Sequence, residues 1–237
     1  MTSRRRVDYV RVLQALLNAI PQPPAVQAVV SDFEAALWSA VRDVFPRVAQ
    51  RGREFHFSQA VWRNVQLVGL QSAYAKDDSI NRVCWKTQVL CFLPADVIGD
   101  EFRKLEQVAS AGGDTRVQEH LQYVRRTWVD GCWRPATWSV FRQPVCTNND
   151  VEGWHHRLNA KASHGRLNLY QLLQLLHDEA RLVTLSVRLL SECGTSPMQR
   201  KSYAQLHSRI SQLRDEYSDG SRSASSLLSA CSRVCRR

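Results

Sequence analysis

Apolar side chains recur at helical spacing along most of the chain and at strand spacing almost nowhere. Val7, Val10, Leu13, Leu16, Leu17 and Ile20 define a first helix over residues 7–20, which stops at "PQPP" because proline cannot continue it. The apolar run "AVQAVVS" at residues 25–31 predicts a short buried strand, and "DFEAALWSAVRDVFP" an amphipathic helix ended by Pro46. A strand-to-helix junction therefore falls at Asp32. A second β-rich run, "REFHF" at residues 53–57, feeds into a helix across "SQAVWRNVQLVGLQSAYA". Helical periodicity holds over residues 79–93 and 96–109 with Pro94 between them as an N-terminal helix signal, breaks at "SAGGD", and resumes at "TRVQEHLQYVRRTWV". An irregular, tryptophan-containing connection, "DGCWRPATWSVFRQPVCTNND", leads to long amphipathic helices at about 150–162, 167–193 and 197–217. The Ser/Arg-rich end, residues 218–237, reads as a loosely ordered tail, and there is no internal repeat.

Two weak strands cannot make a stable sheet alone. Either the protein is essentially all-helical, or the rest of a sheet lies outside this chain. A length of 237 residues with 44% hydrophobic content suffices for a buried core, in one large domain or two small ones. Charge adds a direction: 32 Lys and Arg against 22 Asp and Glu give +10, which favours polyanionic partners, nucleic acid first and acidic membrane surfaces second. Most of these cations are arginine, which suits bidentate phosphate contact. The ends are the most basic parts, with "SRRR" at residues 3–6 and eight Arg and Lys against three acids over residues 199–237. Seven scattered cysteines, without a CxxC pair or a secretory segment, predict a reduced, intracellular protein. No apolar run approaches the roughly 18 residues of a membrane span.

Several residues stand where chemistry is carried. Asp32 ends a strand, the usual place for a functional carboxylate in an α/β sheet, although Asp there is also a favoured helix cap. Glu152 falls in the first turn of a helix capped by Asn149 or Asp150, where the helix dipole alone favours an acid. Beside it Gly153, a poor helix former, suggests close approach of another backbone or a ligand. His155 shares a face with Glu152, while His156 points elsewhere. His56, His155, His156 and His164 together with the cysteines supply ligand types for zinc, but none at a zinc-site spacing. Trp128, Trp133, Trp138 and Trp154 cluster near these residues, as core or as a stacking surface for a base.

Taken in order, "SDFEAALWSAVRDVFP", "GREFHFSQAVWRNVQLVGLQSAY", "CFLPADVIGDEF", "YVRRTWVDG" and "RQPVCTNNDVEGWHHRLN" resemble the Mutator-like (MULE) transposase domain from about residue 9 to residue 179. The resemblance implies an RNase H-like fold in which three carboxylates hold two Mg²⁺ (or Mn²⁺) ions for in-line displacement at phosphorus during DNA transposition. On this basis Asp32 matches the family's second carboxylate and Glu152 its third, both as catalytic residues and metal ligands. His56, Gln59, Asn149 and His155 are the implied substrate-binding residues. The helices over about 79–146 are implied to be an insertion between those two acids, within a domain covering residues 1–217.

Two positions depart from the family pattern. Its first carboxylate ends a strand ahead of the segment with which this chain begins, and Asp8 opens a helical pattern instead. The chain is therefore expected to be N-terminally truncated and inactive. The cysteine of the family's GCxFH segment is Arg53 here.

The expectation is thus an α+β, predominantly helical fold with an incomplete RNase H-like core of few short strands and a large helical insertion. Its function is that of a transposase-derived, DNA-binding protein of the nucleus. The alternatives are a non-catalytic nucleic-acid-binding module of basic helices and a helical protein-interaction domain. Association into homo-oligomers is left open.

Overall fold

The structure, a computed structural model, describes residues 5–22, 24–110, 112–143, 149–162, 167–193 and 201–235, and within these the side chains of all but 149–152, 183–193 and 201–204. The described chain is mostly helical, and among the described residues it has two short strands. It divides into two compact units, Met1–Thr147 with Leu206–Arg237, and Asn148–Gln205.

The first unit opens with helix α1 (Arg6–Ala19), which packs along α2 (Ala35–Val44). Arg6 Nε reaches Asp43 Oδ2 at 2.6 Å, and Tyr9 donates its hydroxyl to Glu34 Oε1 at 2.8 Å. Between these helices runs β1 (Ala28–Ser31), shorter than the apolar run that signals it, and after α2 comes β2 (Ala49–Gly52). The two strands pair in parallel, with Ala28 opposite Ala49 and Ser31 opposite Gly52. A helix between parallel strands is the required crossover, because a tight turn cannot reverse the chain twice.

The second strand is not where "REFHF" places it. Residues from Glu54 onward form α3 (Glu54–Leu67), and β2 is the polar stretch "AQRG" just before it. The alternation of Phe55 and Phe57 imitates a strand, but helical spacing wins: Phe57, Val61 and Val65 recur every four residues and are fully buried, whereas Phe55 is 55% exposed. Gly69, with φ of 74°, then ends this stretch, since a left-handed backbone is open to glycine at no steric cost. The expected single helix is thereby split into α3 and α4 (Gln71–Lys76).

The core is built by α5 (Asp78–Gln88), a 3₁₀ turn (Leu90–Phe92), α6 (Ala95–Ser110), α7 (Thr115–Val124) with a π turn (Arg125–Val129), and α8 (Pro135–Trp138), packed with α3. Asp77 and Asp114 start α5 and α7 by accepting backbone N–H groups at 2.7 Å from Ser79 and 2.9 Å from Arg116. Leu90, Leu93, Ile98, Phe102 and Trp138 are fully buried. The helices over residues 79–143 share one core with α3.

The C-terminal stretch also differs from expectation. Residues 224–234 form α12 (Ala224–Val234), begun by Ser223, whose hydroxyl accepts from Ser226 N at 3.3 Å. Serine-rich composition conceals an amphipathic helix: Leu227, Leu228 and Cys231 face inward and are all but fully buried. Ser225 shares its one hydroxyl proton between the two oxygens of Glu101 on α6, at 2.9 and 2.7 Å, and Lys104 Nζ donates to Oε1 at 2.6 Å, which partners the buried carboxylate across the contact. The remaining described helices are α9 (Asn149–Lys161) and α10 (Leu169–Cys193) in the second unit, and α11 (Lys201–Ser218), which runs from the second unit into the first. In the second unit Glu179 is buried between Lys161 Nζ at 2.6 Å and Arg157 Nη2 at 3.0 Å, and these cations hold its carboxyl below the usual range.

Within the first unit's core lies a polar triad. His120, fully buried, has Nδ1 at 2.8 Å from Asn64 Oδ1 and Nε2 at 3.0 Å from Thr87 Oγ1. Burial pushes the imidazole down to about 4. The folded state therefore binds fewer protons than the unfolded chain, whose histidine titrates near 6.5. Stability from this group is fully present above about pH 6.5 and is lost as pH falls toward 4, by about 3 kcal/mol. Urea titrations at pH 7.5 and 4.5 should show this loss, and His120→Gln should shrink it. Leu227→Ala should lower stability by about 2–5 kcal/mol in the same assay; an unchanged midpoint would mean α12 carries no core packing.

Candidate functional site

Strand register creates the site. Because Ser31 lies opposite Gly52, the next residues along, Asp32 and Arg53, leave the two strands side by side at their carboxyl ends. Parallel sheets carry ligands at this edge, since strand ends and helix starts converge there. Arg53 donates from Nε to Asp32 Oδ1 at 2.7 Å and from Nη2 to the same oxygen. Its Nη2 also donates to His56 Nε2 at 2.6 Å. His56, in the first turn of α3, brings that nitrogen to 3.1 Å from Asp32 Oδ1. A guanidinium can only donate, so Nε2 faces it as an acceptor with the ring proton on Nδ1. One cation thus serves two acceptors. The Arg53 side chain is 19% exposed and the Asp32 side chain 48%, so the cation is enclosed while the carboxylate meets solvent.

Asp32 is fixed from behind. Its carbonyl accepts from Trp38 Nε1 at 2.8 Å and from Glu34 N at 2.9 Å. The capping residue of α2 is Glu34, without a side-chain cap bond, so Asp32 does not serve as the helix cap. Phe33 is wedged against Trp128 and Trp133, at ring separations of 4.7 and 5.2 Å, and lies over Gly52. A Cβ on Gly52 would run into that ring. Trp128 and Trp138 are buried, and with Phe57, stacked 4.4 Å from Trp138, they form the aromatic layer beneath the edge. These tryptophans are core, not a stacking surface. Trp154 belongs to α9 and pairs with His155 at 4.9 Å.

Of the residues singled out from sequence, the structure brings Asp32 and His56 together and sets Gln59, half-buried, three positions further along α3. His155 and His156 are exposed on α9. Asn149 and Glu152 open the same helix, but their side chains lie outside the described residues, as does His164 altogether. Among the described residues a Cβ on Gly153 meets nothing within 4 Å, and the glycine sits on an exposed helical face. Arg53 is the member that sequence reading undervalued. Its only signal is that it follows one strand as Asp32 follows the other.

The metal ions implied by the resemblance do not fit the residues described. Asp32 Oδ1 already takes a guanidinium, whereas Mg²⁺ needs several oxygen ligands around it. Among the described residues no three His, Cys, Asp or Glu side chains group to hold a metal. Burial pushes the Cys84 and Cys235 thiols up to about 12 and Cys231 to about 11, which keeps them protonated. Elsewhere in the first unit a cleft of about 450 Å³ is lined by Asp77, Ile80, Arg82, Lys86, Leu105 and Val117, and no site residue expected from sequence lines it. Among the described residues no helix is long and apolar enough to cross a membrane.

Comparison of the chain with family models, characterised proteins and solved structures returns no match.

The Phe33 wedge makes Gly52 sensitive. Gly52→Ala should destabilise the protein by about 1–3 kcal/mol through overpacking, read as a lowered urea midpoint. A midpoint equal to that of the native chain would show that Phe33 moves aside freely.

Proposed function

We propose that this chain is a transposase-derived protein of the Mutator-like type that binds nucleic acid in the nucleus and catalyses no strand transfer as it stands. The observation that carries the reading is the meeting of Asp32 and His56 at 3.1 Å. These residues come from two of the five ordered motifs, and they converge on the carboxyl end of a parallel strand pair. In the parent family the acids matched by Asp32 and Glu152 would hold Mg²⁺ and promote phosphoryl transfer. Here the Asp32 carboxylate is instead the counter-ion of Arg53. An RNase H-like core, with the helices over 79–146 as its elaboration, is part of the same proposal.

Nucleic-acid binding rests on the +10 charge and on its arginine-rich composition. Arginines grip phosphates whatever the sequence, so affinity follows salt concentration. Exposed Arg11, Arg47 and Arg63 are available for this contact. A second reading, a helical protein-interaction domain, is favoured by the exposed Leu169, Tyr170, Leu172 and Leu173 along α10.

Fluorescence anisotropy with a labelled DNA duplex separates the two. Binding should persist in EDTA, and log K should fall linearly with log salt. The slope should be shallower by about 0.9 for each phosphate contact removed in Arg11→Ala, Arg47→Ala and Arg63→Ala. No binding at physiological salt would favour the protein-interaction reading. Mg²⁺-dependent cleavage or joining of DNA, abolished in Glu152→Gln, would refute the inactivity.

A further inference from the structure

We infer that Arg53 is the resident cation of the Asp32 carboxylate and excludes divalent metal ions from this sheet edge. Arg53 holds one oxygen, Oδ1, from Nε at 2.7 Å and again from Nη2, and the His56 nitrogen that shares this donor lies 3.1 Å from the same oxygen. A dication bound there would approach to about 2.0–2.6 Å, which places it within a few ångströms of the guanidinium charge. Like charges at that range repel strongly, and arginine cannot relieve the repulsion by losing its proton.

Nor can Arg53 simply swing away. Its side chain is 19% exposed, against 48% for Asp32. Departure would also take its donors from two acceptors at once, since Nη2 lies 2.6 Å from His56 Nε2. The position is imposed by the backbone: Arg53 follows Gly52, which is held under the Phe33 ring, and precedes the first turn of α3. The fold therefore supplies its own permanently charged cation at high effective concentration, and free metal ions must compete with it. The consequence is an edge whose charge balance, and whose local geometry, do not depend on magnesium or manganese.

The geometry stands on the described contacts and holds whether or not the chain binds DNA. The test uses the full-length protein and Mn²⁺ alone, with free Mn²⁺ read by its electron paramagnetic resonance sextet. The native chain should show no saturable site at millimolar Mn²⁺. Arg53→Gln should bind at least about tenfold more tightly as the repelling charge is removed, and this gain should vanish in the Arg53→Gln, Asp32→Asn double variant. Arg53→Ala serves as a second unmasking variant, with circular dichroism to verify that each protein is folded. A native chain that binds Mn²⁺ as well as Arg53→Gln overturns the inference. So does a gain that survives Asp32→Asn, or folded Arg53 variants that gain nothing. Loss of DNA affinity with these metal results intact would sink the proposed function and leave the present inference standing.

Discussion

Two four-residue strands, laid parallel with Ser31 opposite Gly52, decide which charged residues meet at the sheet edge. The residue after each strand is charged, and the charges are opposite. Parallel pairing sends both in the same direction, so Asp32 and Arg53 emerge as neighbours instead of at opposite ends, as an antiparallel pair would have them. A shift of register by one residue would break the pairing and turn alternate side chains to the other face. The ion pair is thus a consequence of backbone hydrogen bonding.

What holds the register is largely aromatic. A sheet of two strands has little stability of its own, and here Phe33, Trp38, Trp128 and Trp133 lock the turn after β1 over the glycine that ends β2. The same layer joins the strand pair to the helical core through Phe57, which contacts both Trp128 and Trp138. The site therefore rests on rigid, desolvated packing, while only its outward oxygen-bearing face meets water. Elsewhere the core holds paired polar groups, His120 between Asn64 and Thr87 and Glu101 under Ser225.

This arrangement bears on function by separating charge from chemistry. Excess arginine supplies an electrostatic attraction for phosphates that needs no ordered site. At the sheet edge the Asp32 carboxylate is neutralised by Arg53. The second unit clamps Glu179 between Arg157 and Lys161 and exposes leucines along α10.

Most helices were legible in the sequence because a 3.6-residue period of apolar side chains is a local property, carried by residues such as Phe102 and Leu105 or Val117 and Leu121 whatever surrounds them. Asp32 and His56 each sit in a short segment that stands out in the sequence, and the structure sets them 3.1 Å apart. Strand β2 was not legible, since "AQRG" has no strand composition and pairs only because β1 and Phe33 meet it. Nor was α12, whose serines resemble a tail until Leu227 and Leu228 find the core. The chain by itself determined most of its helices, its charge and its candidate acid; tertiary structure alone decided which cation that acid would face. Partners brought together from separate segments depend on register and packing, which no local pattern encodes.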